Sequence, residues 1–237
     1  MKIKPGQAIL LWAIIIALGL VWLMTGQEGD AMDKTPDQQT IKLPRPGMGL
    51  KEVTLDEALA GRRSLRRFSP DPLTLSQISS LLWSGQGITD ERGWRTAPSA
   101  GALYPLEIYA ITRKKSDLPA GIYHYVPRHH HLKMVKKGDF RPELARAGLG
   151  QPAIQEAPLT FVITAVFERT TAKYGNRGRR YVFMETGHAG QNILLAAAAN
   201  DLGAVPIGAF DDHQVSRIMD LEKEQPLYLI PVGHPAE

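Results

Sequence analysis

The chain of 237 residues contains no cysteine. This absence excludes disulfide bonds, thiolate metal ligands, lipid attachment through a thiol and catalysis by a cysteine nucleophile. The chain also has little excess of positive over negative charge, since its formal net charge is only +4. Such a small excess does not indicate a nucleic-acid partner without a recognition motif, and the sequence shows no such motif. We therefore expect no nucleic-acid partner.

Charged residues are missing altogether between Lys4 and Glu28. Within that segment, residues 8–24 are almost wholly apolar, close to the about 20 residues that a helix needs to cross a bilayer core. Two lysines precede the apolar run and acidic residues follow it, a bias that predicts a cytoplasmic N-terminus. We interpret residues 1–27 as an uncleaved membrane anchor, with a cleaved signal peptide as the alternative. The rest of the chain is then expected on the extracytoplasmic side, in the periplasm or outside the cell.

Residues 28–50 are polar and rich in Pro, Gly, Asp and Gln, a composition typical of a flexible linker. Residues 51–237 are expected to form the folded domain. Thr54 with Glu57, and Thr74 with Gln77, have the spacing of capping boxes and predict two helix starts. Residues 106–112 and 159–167 predict strands, and residues 181–200 predict a long helix. Strands and helices mix without strict alternation, which favours an α+β fold.

Residues 62–67 contain four arginines and one serine. Guanidinium groups bind phosphate oxygens in a bidentate manner, and a serine hydroxyl adds a further donor. In an extended segment alternate residues share a face, so Arg62, Ser64 and Arg66 are placed to contact one anion while Arg63 and Arg67 point elsewhere. A solvated basic surface is the alternative interpretation.

A loop of small residues, RTAPSAGALYP at residues 95–105, precedes the first predicted strand. Small side chains allow backbone amides to approach a flat ligand closely. The loop has neither the P-loop nor the dinucleotide-binding pattern, and its serine does not stand in a hydrolase elbow. An ordinary tight loop is the alternative.

Four blocks, in their order and spacing, resemble the nitroreductase superfamily of flavoproteins, and more closely its SagB-type (thiazole/oxazole dehydrogenase-like) branch. They are residues 62–68, 96–105, 174–192 and 202–212, and the resemblance covers about residues 50–235. It implies an FMN-binding α+β fold with a mixed sheet flanked by helices. It also implies a homodimer with the flavin at the subunit boundary.

The resemblance implies contacts to the FMN phosphate and ribityl chain, to the isoalloxazine ring, and to flavin N5 through backbone amides. In that order the implied residues are Arg62, Ser64 and Arg66, then Pro98, Ser99 and Ala100, then Gly208 and Ala209. Many family members have glutamate at the position of Gly208, so a role for that carboxylate is not carried over. Many also supply a second basic pair to the phosphate, for which Arg180 is a candidate here.

Lys173 and Tyr174 correspond to a Lys–Tyr pair that is linked to proton abstraction in azole-forming relatives. Lysine and tyrosine act as general bases only where their surroundings lower their pKa values. The resemblance therefore implies a catalytic role for Lys173 and Tyr174. A flexible surface loop is the alternative.

Histidine occurs twice in arrangements that raise the question of a metal. His188 and Asn192 lie four apart on one helix face, which favours a polar layer in a buried helix over a metal site. The run at residues 129–131 falls in a predicted hairpin loop, where solvated histidines are more usual. We expect no metal.

These features together favour an FMN-dependent oxidoreductase that transfers hydride through flavin N5. Its substrate is either peptide-like, as for a dedicated dehydrogenase, or a nitro compound or quinone reduced with NAD(P)H. An extracytoplasmic domain has poor access to NAD(P)H, which favours a peptide or a membrane quinone as partner. The alternative function is a flavin-binding scaffold or sensor without turnover.

Overall fold

The structure is a computed structural model that describes residues 39–47, 52–113 and 117–236. The predicted anchor, residues 1–27, lies outside these residues, as does most of the predicted linker. Within the described ranges, no helix is both long and apolar enough to cross a bilayer.

An antiparallel sheet of seven strands forms the centre of the described domain. The strands are β1 (Thr40–Lys42), β2 (Leu106–Thr112), β3 (Gly121–Val126), β4 (His131–Lys137), β5 (Leu159–Ala165), β6 (Gly203–Ala204) and β7 (Gln225–Gly233). Their order across the sheet is β1-β4-β3-β2-β5-β7-β6, and every ladder is antiparallel. The prediction of a sheet with both parallel and antiparallel ladders is therefore wrong. Among the described residues one pairing is parallel, the isolated bridge between Ser64 and Ala204, and β6 is too short for this bridge to extend into a parallel ladder.

Helices cover both faces of this sheet. In chain order the described helices are α1 (Leu55–Gly61), α2 (Leu75–Gln86), α3 (Arg141–Ala147), α4 (Pro152–Glu156), α5 (Glu168–Tyr174), α6 (Arg177–Ala199) and α7 (Asp212–Met219). Short 3-10 turns occur at Ala100–Ala102 and Pro127–His129. Helices and an antiparallel sheet without βαβ alternation confirm the predicted α+β class.

Alternate residues of β2 enter different cores. Ile108 and Ala110 face a core that includes residues of α2 and α6, whereas Tyr109 and Ile111 face one that includes residues of α3, α4 and α7. The sheet is thus buried on both sides, as the apolar character of the predicted strands requires. The long helix α6 therefore packs on one face of the sheet.

Both predicted capping boxes are present. The Thr54 hydroxyl accepts the Glu57 N–H while the Glu57 carboxylate accepts the Thr54 N–H at 2.8 Å. Thr74 and Gln77 make the same reciprocal pair at the start of α2. Each such cap contributes about 1 kcal/mol to helix stability. Local hydrogen bonding alone decides these helix starts, which is why the sequence predicts them well.

Two elements differ from the sequence-based expectations. Thr40–Lys42 forms edge strand β1 and pairs with residues 131–133 of β4, so the prediction of a flexible linker over residues 28–50 is wrong for these residues. Helix α5 was not expected, and it places Lys173 and Tyr174 on a last helical turn rather than in a flexible loop. Strand β1 is short and polar, and α5 lacks a capping side chain, so only tertiary packing specifies either element.

Candidate active site

The small-residue loop, residues 95–105, is fixed to helices near both of its ends. The Thr96 carbonyl accepts a hydrogen bond from Asn192 Nδ2 of α6 at 3.3 Å. The Tyr104 carbonyl accepts one from Arg169 Nη1 of α5 at 3.1 Å. The loop is therefore held between two helices rather than free at the surface.

The middle of this loop is a tight left-handed turn. Gly101, Ala102 and Tyr104 have φ angles of +65°, +55° and +45°. The Ser99 hydroxyl accepts the Tyr104 N–H at 2.9 Å and closes the turn. Left-handed conformations at non-glycine residues cost about 1 kcal/mol or more each, and they cluster at binding and catalytic sites. Pro98 is exposed, and Ser99 and Ala100 are half-buried, at the outer edge of this strained turn.

Lys173 and Tyr174 lie directly against the loop. A Cβ atom on Gly101 would lie 2.8 Å from the Tyr174 hydroxyl and 3.1 Å from Lys173 Nζ. The Tyr174 ring meets the Tyr181 ring edge-on at 5.2 Å between centroids. Within the described part of the chain, neither Nζ nor the hydroxyl has a hydrogen-bond partner. Two titratable side chains thus stand without a hydrogen-bond partner beside the loop.

The corner between α5 and α6 sets the position of this pair. Helix α5 ends at Gly175, whose φ is +56°. Gly178 lies in the first turn of α6 and closely approaches the backbone of Thr170. A Cβ atom on Gly178 would lie 3.0 Å from the Thr170 carbonyl group. Glycine at this position lets α6 begin immediately beside α5. The approach directs the last turn of α5 toward the small-residue loop.

The arginine cluster, Arg62–Arg67, runs in extended conformation beside β6. Arg62 follows α1 with φ −60° and ψ 124°, and Ser64 forms the parallel bridge with Ala204. Arg63 turns back, and its Nη1 donates to the carbonyls of Ala60 and Arg62 at 2.9 and 2.8 Å. Arg63 thereby stabilises the negative end of α1. Arg62 and Arg63 nevertheless border one and the same cavity, which Ser64 and Arg66 do not line, so the expected alternation is wrong for this cavity.

The other arginines of this cluster lack carboxylate partners among the described residues. Arg62 is half-buried, and the cavity that it lines with Arg63 has a volume of about 340 Å³ and also borders Asp201, Ala204 and the α6 residues Leu194 and Ala198. Arg66 is exposed, and its contact with the Ser64 carbonyl is long, at 3.4 Å. Unpaired guanidinium groups beside a cavity fit a phosphate better than they fit a neutral ligand.

Gly208 and Ala209 are exposed directly after Ile207, which pairs with Leu229. Gln151 Nε2 donates to the Ala209 carbonyl at 3.0 Å. In the part of the chain that is described, the N–H groups of Gly208 and Ala209 donate to no acceptor. No atom lies within 4 Å of the Cβ position of Gly208. This segment therefore offers two adjacent backbone donors to a ligand.

The structure brings the predicted residues together in two groups. Lys173 and Tyr174 join the small-residue loop, and the arginine cluster joins β6, four residues before Gly208. Helix α6 contacts both groups, through Asn192 at the loop and through residues 194 and 198 at the cavity beside Arg62. Arg180 lies exposed near the start of α6, and its contact with a phosphate stays a prediction.

The histidines differ from expectation. His188 is exposed, so the predicted buried polar layer is wrong for it, whereas Asn192 is bonded to the loop. His130 is not solvated as expected: it is half-buried, and hydrogen bonds join its ring to Ser79 Oγ at 2.7 Å and to the Tyr125 hydroxyl at 2.9 Å. Burial lowers the pKa of His130. No group of three or more metal-binding side chains occurs among the described residues.

Glu185 of α6 is a residue that sequence reasoning missed. Only 2% of it is exposed, and the Ser99 hydroxyl donates a hydrogen bond to its carboxylate. Burial raises the pKa of Glu185 to about 7, although the Ser99 hydrogen bond and the charge of Arg95 oppose the increase. Its helical spacing from Val182 and Asn192 was the available signal, since residues 182, 185, 189 and 192 follow one stripe.

Known proteins of similar sequence and structure give the family. The model of the nitroreductase family matches residues 59–234. MJ1384 of Methanocaldococcus jannaschii, a nitroreductase by name, is 44% identical over 201 residues, which cover 85% of this chain and 99% of that protein. The microcin B17-processing protein McbC of Escherichia coli is 30% identical over 158 residues, or 64% of this chain and 58% of McbC. A solved structure described as a nitroreductase, from Ralstonia eutropha, superposes with a TM-score of 0.74 at 30% identity, covering 86% of this chain and 92% of that one. Because its sequence matches the family model and its fold is shared, the chain belongs to the nitroreductase family of flavin oxidoreductases.

Proposed function

We propose that the protein is an FMN-dependent dehydrogenase of the SagB type, with Lys173 and Tyr174 as its proton-accepting pair. The observation that carries this proposal is the position of that pair. The Tyr174 hydroxyl and Lys173 Nζ lack hydrogen-bond partners among the described residues, and they lie 2.8 and 3.1 Å from the place that a Cβ atom on Gly101 would occupy. The family resemblance implies that this loop lies against the isoalloxazine ring. The two proton acceptors therefore lie beside the predicted position of the ring.

The described residues fit FMN at three places. Unpaired guanidinium groups at Arg62 and Arg66 suit the phosphate and ribityl chain, with the Ser64 hydroxyl between them. Pro98, Ser99 and Ala100 present a small, fixed surface to the ring. The free N–H groups of Gly208 and Ala209 supply donors on the N5 side, where negative charge grows on reduction. Bound flavin supplies the chemistry of hydride acceptance at N5.

Each side chain of the pair has a defined task in this proposal. Dehydrogenation removes a hydride from one substrate atom, which bound flavin would take up, and a proton from the neighbouring atom. The proton would pass to the deprotonated form of one side chain, either the Tyr174 phenolate oxygen or the neutral amine Nζ of Lys173. Lys173 is exposed and Tyr174 is half-buried, so the substrate reaches the pair from the open side of the loop. A peptide-like substrate is supported by the 30% identity to a microcin-processing protein.

We also propose a homodimer. Leu55 and Leu59 on α1 and Phe183 and Met184 on α6 are large apolar residues with 47–65% exposure, and the two helices pack on each other. Leu55 lies beside Leu195 and Ala196 in the second half of α6, whereas Phe183 and Met184 lie in its first half, so exposed apolar side chains occur along the length of this helix pair. Exposed apolar side chains of this size support a protein interface. Light scattering of the purified protein is expected to give twice the chain mass, and a monomeric mass would contradict the dimer.

The proposed location is the extracytoplasmic face of a membrane, with residues 1–27 as anchor. Its support is the uncharged apolar run flanked by lysines on one side and acids on the other. An exported peptide or a membrane quinone then replaces NAD(P)H as the partner. A phosphatase reporter that is active only outside the cytoplasm is expected to be active when fused after Glu237, and an inactive fusion would contradict this location.

The activity is tested on the full chain purified in detergent. We expect a yellow protein with FMN that oxidises azoline-containing peptides when a quinone accepts the electrons. Tyr174→Phe and Lys173→Met are expected to lower turnover by about 10²–10⁴-fold while FMN stays bound. Tyr181→Phe is the matched control, since this ring supports Tyr174 from behind.

Two outcomes would contradict the proposal in different ways. A protein that takes up no FMN would exclude every flavin-dependent function. A protein that keeps FMN but is reduced by no peptide, quinol or nicotinamide donor is a flavin-binding scaffold or sensor. Turnover with NAD(P)H and nitro compounds, unaffected by Tyr174→Phe, would identify a general reductase instead.

A further inference from the structure

A buried carboxyl group lies behind the small-residue loop, in a position that none of the proposed steps uses. Glu185 stands in the middle of α6 with 2% exposure. One of its oxygens, Oε1, is buried and has no hydrogen-bond partner among the described residues. An ionised carboxylate in such a position has lost its water and gained no second partner, which is costly unless the group can bind a proton.

The other side of this carboxyl group is tied to the loop. Ser99 donates its hydroxyl proton to Glu185, and the same hydroxyl accepts the Tyr104 N–H at 2.9 Å. A single serine thus links the buried acid to the left-handed turn at residues 101–104. A carboxyl group accepts this hydrogen bond in either charge state, since a neutral carboxylic acid keeps one carbonyl oxygen as acceptor.

The charged surroundings of Glu185 are few. Arg95 is the charged neighbour that acts on it, and the Arg95 Nη1 donates to Gln86 Oε1 at 2.7 Å. Arg95 also lies over the Tyr104 ring, with the guanidinium carbon 4.4 Å from the centroid. The charge of Glu107 on β2 raises the pKa of Arg95, and the charge of Arg169 on α5 lowers it. Arg95 is therefore shared among several groups and leaves the Glu185 charge incompletely balanced.

We propose that Glu185 is a positioning residue that holds the small-residue loop through Ser99 and binds a proton when the adjoining cofactor pocket gains negative charge. The inference rests on the flavin site proposed above. Negative charge that appears next to a poorly solvated carboxylate raises its proton affinity, because the Coulomb interaction is weakly screened there. The proton goes to Oε1, the oxygen without a partner, and the Ser99 hydrogen bond at the other oxygen is kept.

The test counts the protons that accompany two electrons. In the detergent-purified full chain with FMN, the reduction potential is measured against pH by spectroelectrochemistry, so that the electrode supplies both electrons. Near pH about 8, above the pKa of about 7 that burial gives Glu185, this carboxyl is ionised before reduction. We expect about two protons for each two electrons in wild type and about one in Glu185→Gln. Glu168→Gln, an exposed acid on α5, serves as the control and is expected to match wild type.

A second variant separates proton binding from loop positioning. Ser99→Ala removes the link but leaves the carboxyl group in place. We expect it to keep the wild-type proton count and to weaken FMN binding by about tenfold, the effect of one lost hydrogen bond. Equal proton counts in wild type and Glu185→Gln would overturn the inference. A Ser99→Ala protein with unchanged FMN affinity would overturn the positioning role.

Failure of the flavin site is distinguished by a measurement without cofactor. The pKa of Glu185 rises from an ordinary 4.5 to about 7 on folding, so the folded state keeps the proton over this range while the unfolded state loses it. The stability of the cofactor-free protein must then fall as pH rises from 4.5 to 7, and Glu185→Gln must remove that fall. If no FMN binds but this pH dependence is present, the proposed function fails while the assignment of the buried proton survives. If FMN binds and Glu185→Gln changes neither measurement, this inference fails alone.

Discussion

Tyr174 and Gly101 are in contact across the boundary between α5 and the small-residue loop, with the Tyr174 hydroxyl 2.8 Å from the position that a Cβ on Gly101 would occupy. Gly101 also has a φ of +65°, a conformation that side chains disfavour. Two independent constraints therefore require glycine at this position. One concerns the backbone, and the other concerns the space that the Tyr174 hydroxyl fills.

Gly101→Ala is expected to lower turnover strongly and to lower the free energy of unfolding only modestly. The added methyl group displaces the Tyr174 hydroxyl and Lys173 Nζ, whereas the φ penalty is about 1 kcal/mol. Gly93→Ala is the matched control, because Gly93 has a φ of +83° with no atom within 4 Å of its Cβ position. Both variants should lose similar stability on thermal unfolding. Only Gly101→Ala should lose activity, and equal activity losses would contradict the contact as the cause.

The arginine cluster predicts a difference between neighbouring arginines. Arg62→Ala and Arg66→Ala should weaken FMN binding by about 10–100-fold, the effect of about 1.5–3 kcal/mol for a hydrogen bond to a charged group. Arg63→Ala removes the same charge from the edge of the same cavity, but the Arg63 guanidinium already donates to the carbonyls of Ala60 and Arg62, so its effect on FMN affinity should be smaller. Fluorescence quenching of FMN at low and high salt measures all three affinities. Equal losses would indicate a general electrostatic effect instead.

Asn192 is expected to matter more than His188, although both lie on α6. Asn192→Ala removes the hydrogen bond to the Thr96 carbonyl and should cost about 1 kcal/mol of stability along with some FMN affinity. His188→Ala changes an exposed side chain and should leave both unchanged within about 0.5 kcal/mol. Denaturant unfolding and FMN titration check the pair. A greater effect from His188 would place that residue in a contact with a second subunit.

How well the sequence predicts the structure depends on the range of the interactions. The capping boxes at Thr54 and Thr74 and the apolar strand Leu106–Thr112 are specified within a few residues, and the structure contains all three. Strand β1 depends on pairing with β4 about 90 residues away, and nothing in the sequence of Thr40–Lys42 requires it. Helix α5 similarly depends on the approach of Gly178 to Thr170.

The candidate site shows the same division. Extended geometry predicts that Arg63 faces away from Arg62, but the two border one cavity, so the alternation that the sequence predicts is wrong there. The contact of Lys173 and Tyr174 with Gly101 joins residues about 70 apart, and only the family resemblance suggested a role for that pair. Glu185 escaped notice because a single acid in a helix is usually solvated, and its burial is evident only once Ser99 and Arg95 are in place.

Glu107 provides a prediction of opposite pH sense to Glu185. Its carboxylate contacts His124 Nε2 at 2.8 Å and Arg169 Nη1 at 2.6 Å. Burial alone would raise the pKa of Glu107, but the hydrogen bonds from His124 and Arg169 outweigh it and lower the pKa below the ordinary 4.5. The folded state therefore binds a proton more weakly than the unfolded state. The resulting stabilisation is fully present above pH 4.5 and is lost as the pH falls through the lower, folded-state pKa.

We therefore expect wild type to lose stability on acidification below pH 4.5 more steeply than Glu107→Gln. Arg169 also donates to the Tyr104 carbonyl, so acid should loosen the small-residue loop before the domain unfolds. Denaturant midpoints measured from pH 6 downward test the first point, and hydrogen exchange of loop amides tests the second. Glu168→Gln is the control, because Glu168 is an exposed residue that has the same charge as Glu107 and is the chain neighbour of Arg169 on α5. Parallel acid profiles for wild type and Glu107→Gln would show that other carboxylates dominate, and the Glu107–Arg169 pair would then contribute little to holding the loop.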